Sequence, residues 1–145
     1  MILVSLDIDG TLERGDPPGP VTFEFARRAA EAGALVGSSS DRALADQREF
    51  WLAGAVQVDF TVLKQQLPQL PGRYPGCRYL HIGDSMMDEY YAGLGGFEFW
   101  NARALGRRAA ELGLTPAAVT DYLLRGLAEL GRDGGRSPAA GGFPS

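Results

Sequence analysis

Two pairs of aspartates mark where this chain could do chemistry. Asp7 and Asp9 lie two residues apart in Asp7-Ile8-Asp9-Gly10-Thr11, and Asp84 and Asp88 lie four apart in Gly83-Asp84-Ser85-Met86-Met87-Asp88. Each pair stands at the end of a mostly apolar run: Ile2–Ile8 runs into the first, and Arg78–Ile82 precedes the second. A turn at Gly10 can aim Asp7 and Asp9 into one crevice. A helix opening after Asp84 sets Asp88 about one turn on, on the same face. Carboxylates gathered in this way repel unless protons or cations compensate. A hard divalent cation held through oxygen, typically Mg2+ with retained waters, is the usual compensation.

For the pairs to meet, both strands must deliver their ends to one edge of one sheet. Ile2–Ile8 suits a strand buried on both faces of a parallel sheet. Gly15–Pro20 turns the chain, and Phe23, Ala26, Ala29 and Ala30 then form an apolar stripe at helical spacing that stops at Gly33. Further strands are predicted over Ala34–Ser39, Val56–Phe60, Arg78–Ile82 and Phe97–Trp100. Helices are predicted over Leu44–Leu52, Leu63–Leu70 (interrupted by proline) and Met86–Leu94. This alternation predicts an α/β fold, a doubly wound parallel-sheet sandwich of Rossmann-like type, whose ligands sit beyond the carboxyl ends of the strands. From about residue 102 a helical extension follows, first Ala102–Leu112 and then a helix opening at Thr115-Pro116. Residues 1–130 read as one domain. Residues 131–145, largely Gly, Pro, Ser and Ala, read as a disordered tail.

Composition narrows the function classes. The chain has 145 residues, 45% hydrophobic and 22% charged, which suits one soluble globular domain. No apolar run reaches the length of a membrane span, and Met1–Ile8 lacks the basic lead of a signal peptide. Cys77 is the only cysteine, so no internal disulfide forms and the cytoplasm is the expected compartment. A net charge of −4 argues against nucleic acid as a partner, although Arg42, Arg48 and Arg73 could make a small basic rim. Lys64 is the only lysine.

LDIDGTL, at residues 6–12, resembles the first motif of the haloacid dehalogenase superfamily, and GDSMMD, at 83–88, resembles its fourth. The resemblance spans roughly residues 1–100. It implies a Mg2+-dependent phosphatase, a phosphomonoester hydrolase, with Asp7 as the nucleophile that becomes an aspartyl-phosphate. Asp9 would be the general acid and then the base. Asp7, the backbone carbonyl of Asp9, and Asp84 would hold Mg2+, with Asp88 a further ligand or an anchor behind the ligands. Lys64 stands where the third motif's lysine belongs and would pair with Asp7 and the phosphoryl group. The second motif needs a Ser or Thr at the end of the second strand. Ser38, Ser39 and Ser40 all offer one, with Ser40 preferred and Ser38 next.

His81, inside the fourth strand, is expected to be a packed strand residue. The intervals Glu13–Gly33 and Gly54–Leu63 leave no room for the cap domain that many family members carry. An uncapped, open site suits a phosphorylated substrate, expected to be a small molecule, and leaves a homo-oligomer or a macromolecular phosphate ester as further possibilities. A phospho-accepting signalling or scaffold protein is the alternative from another class. The apolar face of the last helix is expected to pack on its own domain.

Overall fold

The strand ends do meet. In the computed structural model, which describes residues 1–132, five strands pair in parallel in the order β3-β2-β1-β4-β5. They are β1 (Ile2–Leu6), β2 (Leu35–Ser40), β3 (Phe60–Leu63), β4 (Arg78–Gly83) and β5 (Glu98–Asn101). The chain builds outward from β1 to β3 on one side and then crosses to β4 and β5 on the other. β1 and β4 are therefore neighbours at the reversal of strand order, where such sheets form their crevice. The register Leu6↔Ile82 places Asp7 and Gly83 side by side just past the ladder, and Asp7 N–H donates to the Ile82 carbonyl at 2.9 Å.

Helices cover both faces, as the alternation of elements predicts. Val4, Leu6, Val36, Leu80, Ile82 and Trp100 pack toward α1 (Phe23–Glu31), Trp51 of α2 (Leu44–Ala53), α5 (Ala102–Leu112) and α6 (Pro116–Gly131). Leu3, Phe60 and Val62 pack against a 3-10 helix (Lys64–Gln69), α3 (Leu70–Arg73) and α4 (Met86–Gly95). Val119, Leu123, Leu127 and Leu130 bury the apolar face of α6 in its own domain. Thr120 seals it to the cap of α1 through a 2.6 Å bond to Thr22.

Several boundaries differ from the sequence expectation, each for a local reason. β1 stops at Leu6, so Asp7 is the first residue past the strand, tied to β4 through its N–H. The third strand is Phe60–Leu63 rather than Val56–Phe60. Ala55 takes φ 56° after α2, and Asp59 clamps Val36 through both backbone and carboxylate, so Val56 packs into the core without pairing. Pro68 allows only the tighter 3-10 form over Lys64–Gln69 before α3. Gly131 closes α6, where a tail was expected to begin; the rest of that expected disordered tail, from 133, lies outside the described residues. Between β1 and α1 the chain folds back on itself through a single bridge, Leu12↔Val21, with no inserted domain among the described residues. No helix there is long and apolar enough to cross a membrane.

Candidate active site

Three carboxylates converge at the ends of β1 and β4. Asp7, Asp84 and Asp88 each offer an oxygen, and these oxygens all lie within 4.8 Å of one another. Two glycines make the approach possible. Gly10 has φ +77°, and a Cβ there would overlap the Asp84 carboxylate. A Cβ on Gly83 would overlap the Asp88 carboxylate. The glycines beside the aspartates are thus the clearance that lets the acids meet. Ser85 caps α4, accepting from Asp88 N–H at 3.2 Å, while Asp88 accepts from Ser85 N–H and Oγ at 3.1 and 2.6 Å.

Asp88 is fully buried and its two oxygens are both engaged. Oδ1 is bonded to His81 Nε2 at 2.8 Å; Oδ2 takes the Ser85 bonds and Lys64 Nζ at 3.3 Å. Burial alone would raise its pKa. The His81 bond, Ser85 and the Lys64 charge outweigh that and hold it at about 2. Asp88 therefore stands as a fixed anion behind the site, and it sets the position of Lys64.

Asp7 has the opposite fate. Burial, followed by the charge of Asp88, pushes its carboxyl up to about 8, despite Lys64 at 3.6 Å, and it shares a hydrogen bond with Asp84. A buried acid whose ionisation its neighbours oppose is favoured in its charged form by a cation placed among them. The donors are all oxygen, and Asp7 and Asp84 are not committed elsewhere as Asp88 is. This set fits a hard divalent ion such as Mg2+. Lys64 is only 6% exposed. Burial works against its charge, but Asp7, Asp88 and Asp41 together hold its pKa above the usual lysine value.

The three serines of β2 separate by their partners. Ser38 Oγ donates to Gln47 Oε1 at 2.6 Å and accepts from Trp51 Nε1 at 2.9 Å, and Ser39 Oγ bonds Ser5 Oγ at 2.7 Å. Both belong to the core. Ser40 Oγ accepts from Arg42 N–H at 3.1 Å, which leaves its own hydrogen free to donate. Ser40 pairs with Leu63 in register, so its neighbour across the ladder leads directly into Lys64.

Asp9 lies apart from the cluster of Asp7, Asp84 and Asp88, half-exposed. Arg42 forks onto it at 2.6 and 3.1 Å, and Asp16 N–H adds a bond at 2.8 Å. The Arg42 bond, against a smaller effect of burial, holds the Asp9 carboxyl below the usual carboxylate range. Of Arg42, Arg48 and Arg73, Arg42 is the one bonded to a site carboxylate. Arg73 lies over the Tyr74 ring, in the segment that leads into the opposite end of β4 from Asp84.

His81 is a packed strand residue, as expected, but its packing belongs to the site. Ser5 pairs with His81 in register, and Ser39, Ser5, His81 and Asp88 form one buried chain of hydrogen bonds. Ionised Asp88 can only accept, so His81 Nε2 donates to it; were the ring neutral, Nδ1 would accept from Ser5 and Ser5 from Ser39. A signal for this was present: Ser5, Ser39 and His81 are polar interruptions in otherwise apolar strands. No family model and no curated protein matches the chain.

Proposed function

We propose that this protein is a Mg2+-dependent phosphomonoester hydrolase that works through an aspartyl-phosphate on Asp7, in the manner of a capless member of the haloacid dehalogenase superfamily. The observation that carries the reading is the buried Asp7 carboxyl, with an oxygen within 4.8 Å of oxygens of Asp84 and Asp88 and 3.6 Å from the buried Lys64 Nζ. Such an acid is poorly placed to be a mere structural anion, and well placed to be ionised when a cation arrives.

Asp7 and Asp84 would hold the ion, joined by the carbonyl of Asp9. Mg2+ bound there would offset the repulsion between a carboxylate nucleophile and an anionic phosphate. An Asp7 oxygen attacks phosphorus, and the bond from phosphorus to the ester oxygen breaks. Ser40 Oγ–H and Lys64 donate to the phosphoryl oxygens. Asp9 gives the leaving oxygen its proton, then takes one from the water that cleaves the aspartyl-phosphate and returns Asp7 and inorganic phosphate. The Arg42 fork favours the ionised form of Asp9 and so suits the second half of the cycle directly. The first half needs that positive charge to be drawn partly elsewhere.

The test is hydrolysis of a generic aryl phosphate by the purified chain. Turnover should require Mg2+, stop with a chelator and vanish in Asp7→Asn. Chelator-insensitive turnover, or a long-lived phosphoprotein from acetyl phosphate with no release of phosphate, would contradict the reading. The second result would favour the phospho-accepting scaffold instead.

A further inference from the structure

Arg42 is built into the site more firmly than a surface ion pair requires. Its backbone N–H is tied to Ser40 Oγ at 3.1 Å and its carbonyl accepts from buried Gln47 Nε2 at 2.9 Å. Its guanidinium lies over the Phe50 ring, 5.2 Å from the centroid. Nε and Nη2 face Asp9, while Nη1 has no hydrogen-bond partner among the described residues. The side chain as a whole is 28% exposed, so part of it is open to solvent. Lys64, by contrast, is 7% exposed at its side chain and faces Asp7, Asp41 and Asp88, so it serves the floor of the site, where the transferring phosphoryl group would sit.

We propose that Arg42 is a specificity residue, and that the substrate is a phosphomonoester whose leaving group carries a second anionic group, a carboxylate or a phosphate, near the ester oxygen. This rests on the phosphatase reading above. A leaving group must pass Asp9, because Asp9 serves its oxygen, and Arg42 lies on Asp9. Three hydrogen-bond lengths and the width of the guanidinium then put the second anion within roughly 11 Å of the ester oxygen. The other charges near Arg42 repel anions: Asp41 is 83% exposed at its side chain, and Asp16 and Asp46 also lie near Arg42; Arg103 and Arg107 line a separate cleft with Gly10 and Asp84. Arg42 is the cation bonded to Asp9, so it is the one a group beside Asp9 meets first, and its planar fork matches carboxylate and phosphate geometry.

The experiment compares matched esters on the full chain with Mg2+. One arm sets the phosphate ester of a hydroxy acid against that of its methyl ester, and the other sets a diol bisphosphate against the diol monophosphate. The readout is the ratio of kcat/KM within each pair. Wild type should favour the charged member of at least one pair by about tenfold or more, mainly through KM, as a charge-assisted bond would give; the arm that responds identifies the anion. In Arg42→Gln all rates should fall, because Asp9 loses its partner, but the ratio should collapse to near one. Arg42→Lys should retain part of it. A wild-type ratio near one in both arms, or a ratio that survives Arg42→Gln, overturns the proposal. If a plain aryl phosphate is hydrolysed without any charge preference, this proposal alone fails. If it is not hydrolysed at all, the phosphatase reading fails and takes the proposal with it.

Discussion

The buried Asp7 carboxyl should write itself into the pH dependence of stability. In the folded chain its pKa is about 8, against an ordinary value of 3.8 for the unfolded chain. Between those values the folded state holds a proton that the unfolded state has lost, so this group makes stability fall as pH rises. The full slope for one proton is about 1.4 kcal/mol per pH unit. From about pH 6 to about pH 7.5, chelated wild type should therefore lose about 2 kcal/mol relative to Asp7→Asn, which cannot ionise there. For a domain of this size that is a difference of roughly 8 °C in Tm. Thermal unfolding followed by circular dichroism, with chelator and then with excess Mg2+, measures it. Bound Mg2+ takes the ionised carboxylate, so the slope should flatten or reverse, and Mg2+ affinity should rise by about tenfold per pH unit below about pH 8. Parallel pH profiles for wild type and Asp7→Asn in chelator would refute the reasoning.

Two further outcomes follow from the geometry around Asp7. Gly10→Ala should cost ~1 kcal/mol for the left-handed backbone, and its Cβ would displace Asp84, so Mg2+ affinity by calorimetry should fall by more than about tenfold; unchanged affinity would remove Asp84 from the metal set. His81→Phe leaves a fully buried Asp88 oxygen unpaired, a loss of about 3 kcal/mol. Adding Asp88→Asn should then cost far less than it does alone, and denaturant melts of the double-mutant cycle that prove additive within about 0.5 kcal/mol would contradict the link between the two residues.

The carboxylate positions were legible because they sit at strand ends, where apolar runs give way to Asp-Gly and Gly-Asp turns. The parallel sheet with helices on both faces was legible from alternation alone, and Lys64 from being solitary and well placed. The third strand was not, because Val56 and Val58 look like strand residues, while the pairing is decided by Asp59 gripping Val36 from another strand. The roles of His81 and Arg42 were hidden for the same kind of reason. His81 reaches Asp88 and Ser5 through the β1–β4 register and the first turn of α4, and Arg42 meets Asp9 across thirty-three residues. Local pattern does not carry register. The partners that tie Ser38 and Ser39 into the core, Gln47, Trp51 and Ser5, likewise come from other elements and leave no local trace in the sequence.

The central claim is that Asp7 carries the phosphoryl group in turnover. Acid-quenching the protein during hydrolysis of an aryl phosphate with Mg2+, then trapping the acyl phosphate with borohydride and mapping the peptides, tests it most directly. The account requires the modification at Asp7, absent with chelator and absent in Asp7→Asn. Turnover at full rate with no adduct on Asp7, or with the adduct on another residue, would contradict it.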